Sequence, residues 1–137
     1  MRRSTIVAVY RADVKKVWDI VTDNANFAWR SDLSGVQAAE DGRTFVETTK
    51  GGYRTTFTIT RKEPFSCYEF DMENKNFSGH WTGVFSPAAD NGTRIEFTEE
   101  LRVKNPLMEL LSYVALPLRK MQRAYAEDLR QALGEGE

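Results

Sequence analysis

Two carboxylates stand out because of the company they keep. Glu47 shares a strand face with Phe45, and Glu99 shares one with Ile95, Phe97 and Leu101. A buried, unpaired carboxylate costs on the order of several kcal/mol, so each must pair, take up a proton or reach water. Inside a pocket, a raised pKa would suit either the anchoring of a ligand or general acid–base work. A bulge that shifts the register, or a solvated strand end, would leave both as ordinary surface residues. Tyr53, Thr55 and Tyr68 can each donate one hydrogen bond to the same space.

The remaining reactive side chains point to no reaction. His80, the single histidine, alternates with Trp81 and so belongs to the outer, solvent face of its strand. No serine or cysteine is placed beside it as a nucleophile pair, and one histidine with scattered carboxylates makes no zinc site. Cys67 is alone, which excludes an internal disulfide, and with its outward parity it reads as an inert or weakly reactive thiol and not as a nucleophile. Catalytic residues are therefore unknown, and neither a metal nor a cofactor is expected.

These residues need a scaffold, and the chain has the size for one. Its 137 residues suit one domain, 1–137, with a real core. Nineteen basic residues against twenty acidic ones leave a net charge of −1, which provides no global attraction for nucleic acid. Met1-Arg2-Arg3 runs directly into an apolar, β-branched stretch that reads as a strand and not as a signal peptide. The most apolar later stretch, from Pro106 to Leu118, is shorter than the ~20 residues a membrane span needs. The expected location is the cytoplasm, without stable membrane insertion, as a monomer or homodimer.

The period of the hydrophobic pattern then orders the elements. Ser4 to Arg11 is a strand. Asp13 caps a short helix whose stripe is Val14, Val17, Trp18 and Val21, and Ala25 to Arg30 reads as a second, very short helix. From Leu33 to Val103 the period is two, with turns at Glu40-Asp41-Gly42, Lys50-Gly51-Gly52, Pro64 and Pro87 to Gly92. That yields six strands: Leu33–Ala39, Arg43–Thr49, Tyr53–Lys62, Phe65–Glu73, Phe77–Ser86 and Thr93–Val103. Asn105 and Pro106 open a final helix with the stripe Leu107, Leu111, Val114, Leu118, Met121, Tyr125 and Leu129, kinked by Pro117 near Tyr113 and ended by Gly134. An antiparallel sheet with one polar face must cover the other with something apolar, and this helix is the element able to do so.

The inner face of such a sheet carries Phe45, Tyr53, Phe57, Tyr68, Phe70, Trp81, Phe85 and Phe97. That is either a packed core or the lining of a concave apolar site. Gly79 and Gly83 flank Trp81 and remove side-chain volume there, which favours a cavity. The helix contributes Val114, Leu118 and the adaptable Met121, with Gln122 and Arg119 beside the stripe. Phe27 and Trp29 most simply cap the core.

With these elements in hand, the chain resembles the START-like or Bet v1-like superfamily (SRPBCC), and within it the bacterial polyketide cyclase/dehydrase and lipid-transport group. The resemblance rests on Tyr10-Arg11-Ala12-Asp13-Val14-Lys15-Lys16-Val17-Trp18-Asp19-Ile20-Val21-Thr22-Asp23, on Trp29 and Pro64, and on Phe85-Ser86-Pro87 and Gly92-Thr93. It covers essentially the whole chain, and its motifs are structural. Asp13 departs from the proline found in many relatives. The resemblance implies an α+β helix-grip fold: a curved antiparallel sheet of about seven strands around a long C-terminal helix, with two short helices after the first strand. It also implies a cavity that takes an apolar or amphipathic small molecule such as a lipid or polyketide. The ligand-contact residues expected there are Trp29, Phe45, Glu47, Tyr53, Phe57, Tyr68, Phe70, Trp81, Phe85, Phe97, Glu99, Val114, Leu118 and Met121. Relatives also include cyclase or dehydratase enzymes and chaperone activators that act through their surfaces, so fold alone does not decide among these functions.

Overall fold

Alternating hydrophobicity becomes a seven-stranded antiparallel sheet. The computed structural model describes residues 2–107 and 117–135. Its elements are β1 (Arg2–Tyr10), α1 (Val14–Thr22), β2 (Leu33–Ala38), β3 (Thr44–Thr49), β4 (Arg54–Glu63), β5 (Cys67–Glu73), β6 (Phe77–Ala88), β7 (Gly92–Val103) and α2 (Leu118–Ala132). The strand order is β1-β7-β6-β5-β4-β3-β2, so the meander from β2 to β7 ends against the first strand. Register breaks at Leu33/Gly35 and at Ile59/Arg61 interrupt the ladders, and such bulges bend a sheet.

The helix after β1 forms for the expected reason. Asp13 accepts a hydrogen bond from Lys16 N at 2.9 Å, and Val17, Trp18 and Val21 are buried. Trp18 meets Phe85 edge-on at 5.0 Å and Tyr68 at 6.0 Å, which anchors α1 to the sheet.

The second short helix is not formed. Asp23 accepts from the backbone of Ala25 at 3.0 Å and of Asn26 at 3.3 Å, and Arg30 N bonds back to Phe27 O at 2.9 Å. Local side-chain bonds of this kind compete with helical ones, so the chain crosses this stretch in turns. The turn after β6 is also tighter than the sequence suggests. β6 continues through Pro87 to Ala88, and a 3₁₀ turn at Ala89–Asn91 reverses the chain with Asp90 and Asn91 at positive φ. Asp and Asn tolerate that conformation better than most residues do.

The C-terminal helix differs as well. Asn105 Oδ1 accepts from Leu107 N at 2.9 Å, in keeping with a helix start there. The expected kink at Tyr113 and the stripe residues Leu111 and Val114 lie outside the described residues. Pro117 is not interior to a helix: with ψ at 88° it precedes α2, which starts at Leu118. A proline can open a helix at no cost but breaks one when internal.

Helix α2 packs most closely along β1. Gln122 Nε2 donates to Ser4 O at 2.9 Å, Arg130 Nη2 to Val9 O at 3.2 Å and Arg119 Nη2 to Thr5 O at 3.4 Å. Edge strands invite pairing with other chains, and this helix covers the edge with donors of its own. Tyr10, from inside the core, donates to Ala126 O at 2.7 Å, and Arg130 stacks over its ring at 4.8 Å. The Glu135 carboxylate accepts from Arg11 N and Ala12 N, tying the end of β1 to the end of α2. The helix is thus held to one side of the concave face.

Candidate functional site

Holding α2 to one side leaves a hollow over the centre of the sheet. Its volume is about 290 Å³. Strands β3 to β7 form the floor, α2 forms one wall, and the segment from Asn24 to Asp32 forms the other. A wider concavity of about 880 Å³ crosses the outer face near Asp71, His80, Glu100 and Arg102, but it is an open groove floored by polar strand residues. The smaller inner hollow, with its aromatic lining, has the character of a ligand site.

Most of the expected aromatic lining is there. Phe45 and Phe57 are neighbours on β3 and β4, stacked at 5.0 Å, and Phe70 and Trp81 are neighbours on β5 and β6, stacked at 5.0 Å. Tyr68, Phe97 and, from α2, Met121 also line the hollow. Strand alternation explains the aromatic members, each of which has inward parity on its strand, and helical period brings in Met121.

Other expected residues are elsewhere. Tyr53 is 67% exposed, at the turn before β4, where the ladder has not yet fixed which face it takes. Phe85 is buried beneath Trp18 in the packed core, and Leu118 is buried at the start of α2 beyond the hollow. Trp29 does not line the hollow but packs edge-on against Tyr125 at 5.3 Å, supporting the wall from behind. Val114 lies outside the described residues.

The glycines act differently from expectation. A Cβ on Gly83 would sit 2.7 Å from the Trp81 ring, so the indole already occupies that space. A Cβ on Gly79 would run into the carbonyl of Glu100. Both glycines make room for their neighbours and neither enlarges the hollow. Cys67 is another correction: despite outward parity it is buried, with Sγ 3.4 Å from Glu69. Burial pushes its thiol up, against reactivity. His80 is on the outer face as expected, where its ring nitrogens meet Asp71 at 2.7 Å and Glu69 at 2.8 Å.

Both singled-out glutamates face the hollow. Glu47 pairs with Thr55 across the β3–β4 ladder, and its side chain is only 15% exposed. Its partner is a residue the sequence did not mark. Arg30 Nη1 donates to Glu47 at 3.4 Å, while Nε and Nη2 grip Asp32 at 3.0 and 2.9 Å. The guanidinium also lies 4.9 Å from the Tyr125 ring centre, a cation–π contact. Burial opposes the charge on Arg30, but Glu47, Tyr125 and Asp32 more than offset it and hold it protonated. Burial raises the pKa of Glu47, with Arg30 pulling the other way.

Glu99 is the cross-strand neighbour of Trp81. It has no hydrogen-bond or ion-pair partner among the described residues. Burial pushes its carboxyl up to about 7, with Arg30 lowering it and Glu47 raising it. Tyr125 also lines the hollow, and burial raises its phenol well above the usual range. Gln122, Asp128 and Ser31 also line the hollow, as do Asn24, Thr49 and Thr55. Asp128 accepts from Ser31 N at 2.8 Å and from Ser31 Oγ at 2.7 Å, closing the wall segment onto α2. Arg30 and Asp32 were invisible in the sequence because irregular backbone has no periodicity to assign a face, and Asp128, on α2, is outside the apolar stripe that the helical period marks. A basic residue directly after Trp29, followed two places on by an aspartate, was the available signal.

Comparison with known proteins agrees with this architecture. Residues 1–134 match the family model described as polyketide cyclase / dehydrase and lipid transport. No curated protein matches the chain. Among solved structures, a START superfamily protein from Mycobacterium smegmatis is similar at 13% identity and a TM-score of 0.71, covering 95% of this chain and 98% of its own. A conserved protein from Geobacillus kaustophilus is similar at 11% identity and a TM-score of 0.79, over 98% and 96% of the two chains. The di-domain ARO/CYC BexL from the BE-7585A biosynthetic pathway matches at 14% identity and a TM-score of 0.79, over 98% of this chain and 47% of its own. At such identities the structural likeness speaks for the fold alone. The match of the family model along 1–134, on a seven-stranded antiparallel sheet with a C-terminal helix, places this chain in the polyketide cyclase/dehydrase and lipid-transport family.

Proposed function

We propose that the protein, acting as one binding domain over residues 1–137, holds an apolar or amphipathic small molecule in the hollow between β3–β7 and α2. The observation that carries this reading is a cavity of about 290 Å³ with stacked aromatic pairs on its floor and a separate polar cluster at one side. A packed core would have filled that space. An apolar body would rest on Phe45, Phe57, Phe70 and Trp81, and a polar end would meet Arg30, Glu47 or Glu99. The reading keeps the expectation of a cytoplasmic monomer or homodimer. Among the described residues no helix is long and apolar enough to cross a membrane.

Native mass spectrometry of the protein purified from its own host tests this. The expected result is a mass adduct that is lost in Thr55→Trp, which places an indole in the hollow. Wild-type protein that carries no adduct, and that leaves added 2-naphthylmethanol and 2-naphthylmethylamine unbound, would refute it.

A second reading has one observation in its favour. A buried carboxyl with a pKa of about 7 suits proton transfer to a bound carbonyl compound, the work of a cyclase or dehydratase. Loss of turnover in Glu99→Gln, with ligand still bound, would support the enzyme; a bound ligand recovered unchanged would leave the carrier.

A further inference from the structure

The hollow's polar equipment is unbalanced. Among the described residues, four carboxylates line it, from Asp32, Glu47, Glu99 and Asp128, against the single guanidinium of Arg30. Asp32 and Glu47 share that guanidinium, and Asp128 is occupied by Ser31. Glu99 is left with no partner among the described residues.

A second, independent group points the same way. Gln122 is 4% exposed and lines the hollow from α2. Its Nε2 donates to Ser4 O at 2.9 Å and to Phe97 O at 3.4 Å. These bonds fix the amide, because the reversed orientation would set its oxygen against two carbonyl oxygens. The Oε1 that remains is buried and has no partner. A buried acceptor left without a donor is costly, and a donor-bearing guest would remove that cost. Trp81, Phe97 and Tyr125 line the same hollow as Glu99 and Gln122 and cluster together, with centroid separations of 5.6, 5.5 and 6.1 Å; Trp81 is the cross-strand neighbour of Glu99. Aromatic faces attract cations, and the attraction grows when water is excluded.

We propose that the ligand is an amphipathic amine, its ammonium held by Glu99 and Gln122 against the Trp81, Phe97 and Tyr125 rings. This rests on the hollow being a binding site and adds the chemistry of the head group. A carboxylate ligand would meet Glu47 and Glu99 and find Arg30 already engaged. A neutral alcohol would give Glu99 no counter-charge. An ammonium has three donors and the missing charge.

The groups facing Glu99 set the pH dependence. Arg30 and Asp32 approach from the segment before β2, Glu47 from β3, Tyr68 from β5, and Tyr125 and Asp128 from α2. Burial keeps both tyrosines neutral throughout the physiological range. Burial pushes the Glu99 carboxyl up to about 7 and raises Glu47 in the same direction, so the hollow gains negative charge, and amine binding strengthens, as the pH rises through that region.

Three probes with one naphthalene body separate the possibilities: 2-naphthylmethylamine, 2-naphthylmethanol and 2-naphthoate. Their affinities for the full chain are measured by calorimetry at about pH 6 and about pH 8. The expected result is an amine that binds at least about tenfold tighter than either companion at the higher pH. That advantage shrinks at the lower pH, and in Glu99→Gln the amine-to-alcohol ratio falls to about one. Equal or tighter binding of the alcohol or the naphthoate overturns the amine assignment and leaves the cavity reading intact. A ratio unmoved by Glu99→Gln also overturns it. Binding of none of the three overturns both. Should Glu99→Gln fail to fold, the pH dependence in the unaltered protein decides alone.

Discussion

Arg30 faces the Tyr125 ring at 4.9 Å while one of its nitrogens lies 3.4 Å from Glu47. One guanidinium thus joins the irregular wall, the sheet and the C-terminal helix across the mouth of the hollow. Arginine suits this place because its planar fork binds a carboxylate at two points and stacks on a ring at once.

Replacing Arg30 with methionine leaves Glu47 and Asp32 facing each other without a counter-charge. The expected loss is about 2–3 kcal/mol in chemical denaturation, with part of it recovered in the double variant Arg30→Met, Glu47→Gln. Arg30→Lys restores the charge but not the fork, so it recovers less than half of the loss. Equal stability of Arg30→Met and the parent would contradict the tie.

Stability should fall as pH rises through the range in which Glu99 ionises. Its folded pKa of about 7 is above the ordinary 4.5, so the folded state holds a proton that the unfolded chain has lost. The stabilising contribution is complete below about 4.5 and disappears as the pH climbs through 7. Glu47, raised in the same direction, adds to this slope, while Glu69 and Glu135, both lowered, act only below the ordinary carboxylate range. Glu99→Gln removes Glu99's share. Denaturation midpoints of this variant and the parent should therefore diverge between these limits, with the variant the more stable at alkaline pH.

The outer face gives an independent titration. Burial lowers the pKa of His80, but its bonds to Asp71 and Glu69 outweigh this and raise it above 6.5. Its stabilising contribution is present below that value and is lost as the pH rises through the folded pKa. As the single histidine, it has one C2 proton signal in an NMR titration. That midpoint should drop in Asp71→Asn, and an unchanged midpoint would rule out the clamp.

Gly83→Ala tests the seat of Trp81. The added methyl meets the indole at 2.7 and 2.8 Å, and that ring can move only by breaking its stacking on Phe70 or shifting with it into the hollow. Overpacking of this kind costs about 1–3 kcal/mol. The expected signs are a lowered melting temperature and an altered near-ultraviolet circular dichroism spectrum.

The strand pattern of this protein is local and was legible residue by residue. Period-two alternation between Leu33 and Val103 located six strands, each within about two residues of its observed ends, and put Glu47 and Glu99 on the inner face among the aromatic residues. The family resemblance, carried by the stretch from Tyr10 to Asp23, was legible for the same reason. What lies in irregular backbone was not. Arg30, Asp32 and Ser31 acquire their roles only when β2–β3 and α2 close around them, and Tyr53 lost its expected role because it sits one residue before the ladder begins. The hollow itself was decided by tertiary structure. Whether the helix fills the concave face depends on where it is held, and its bonds to β1 from Arg119, Gln122 and Arg130 hold it to one side. Periodicity specifies which face of an element is apolar, but the distance to the opposing face follows from contacts far apart in the chain.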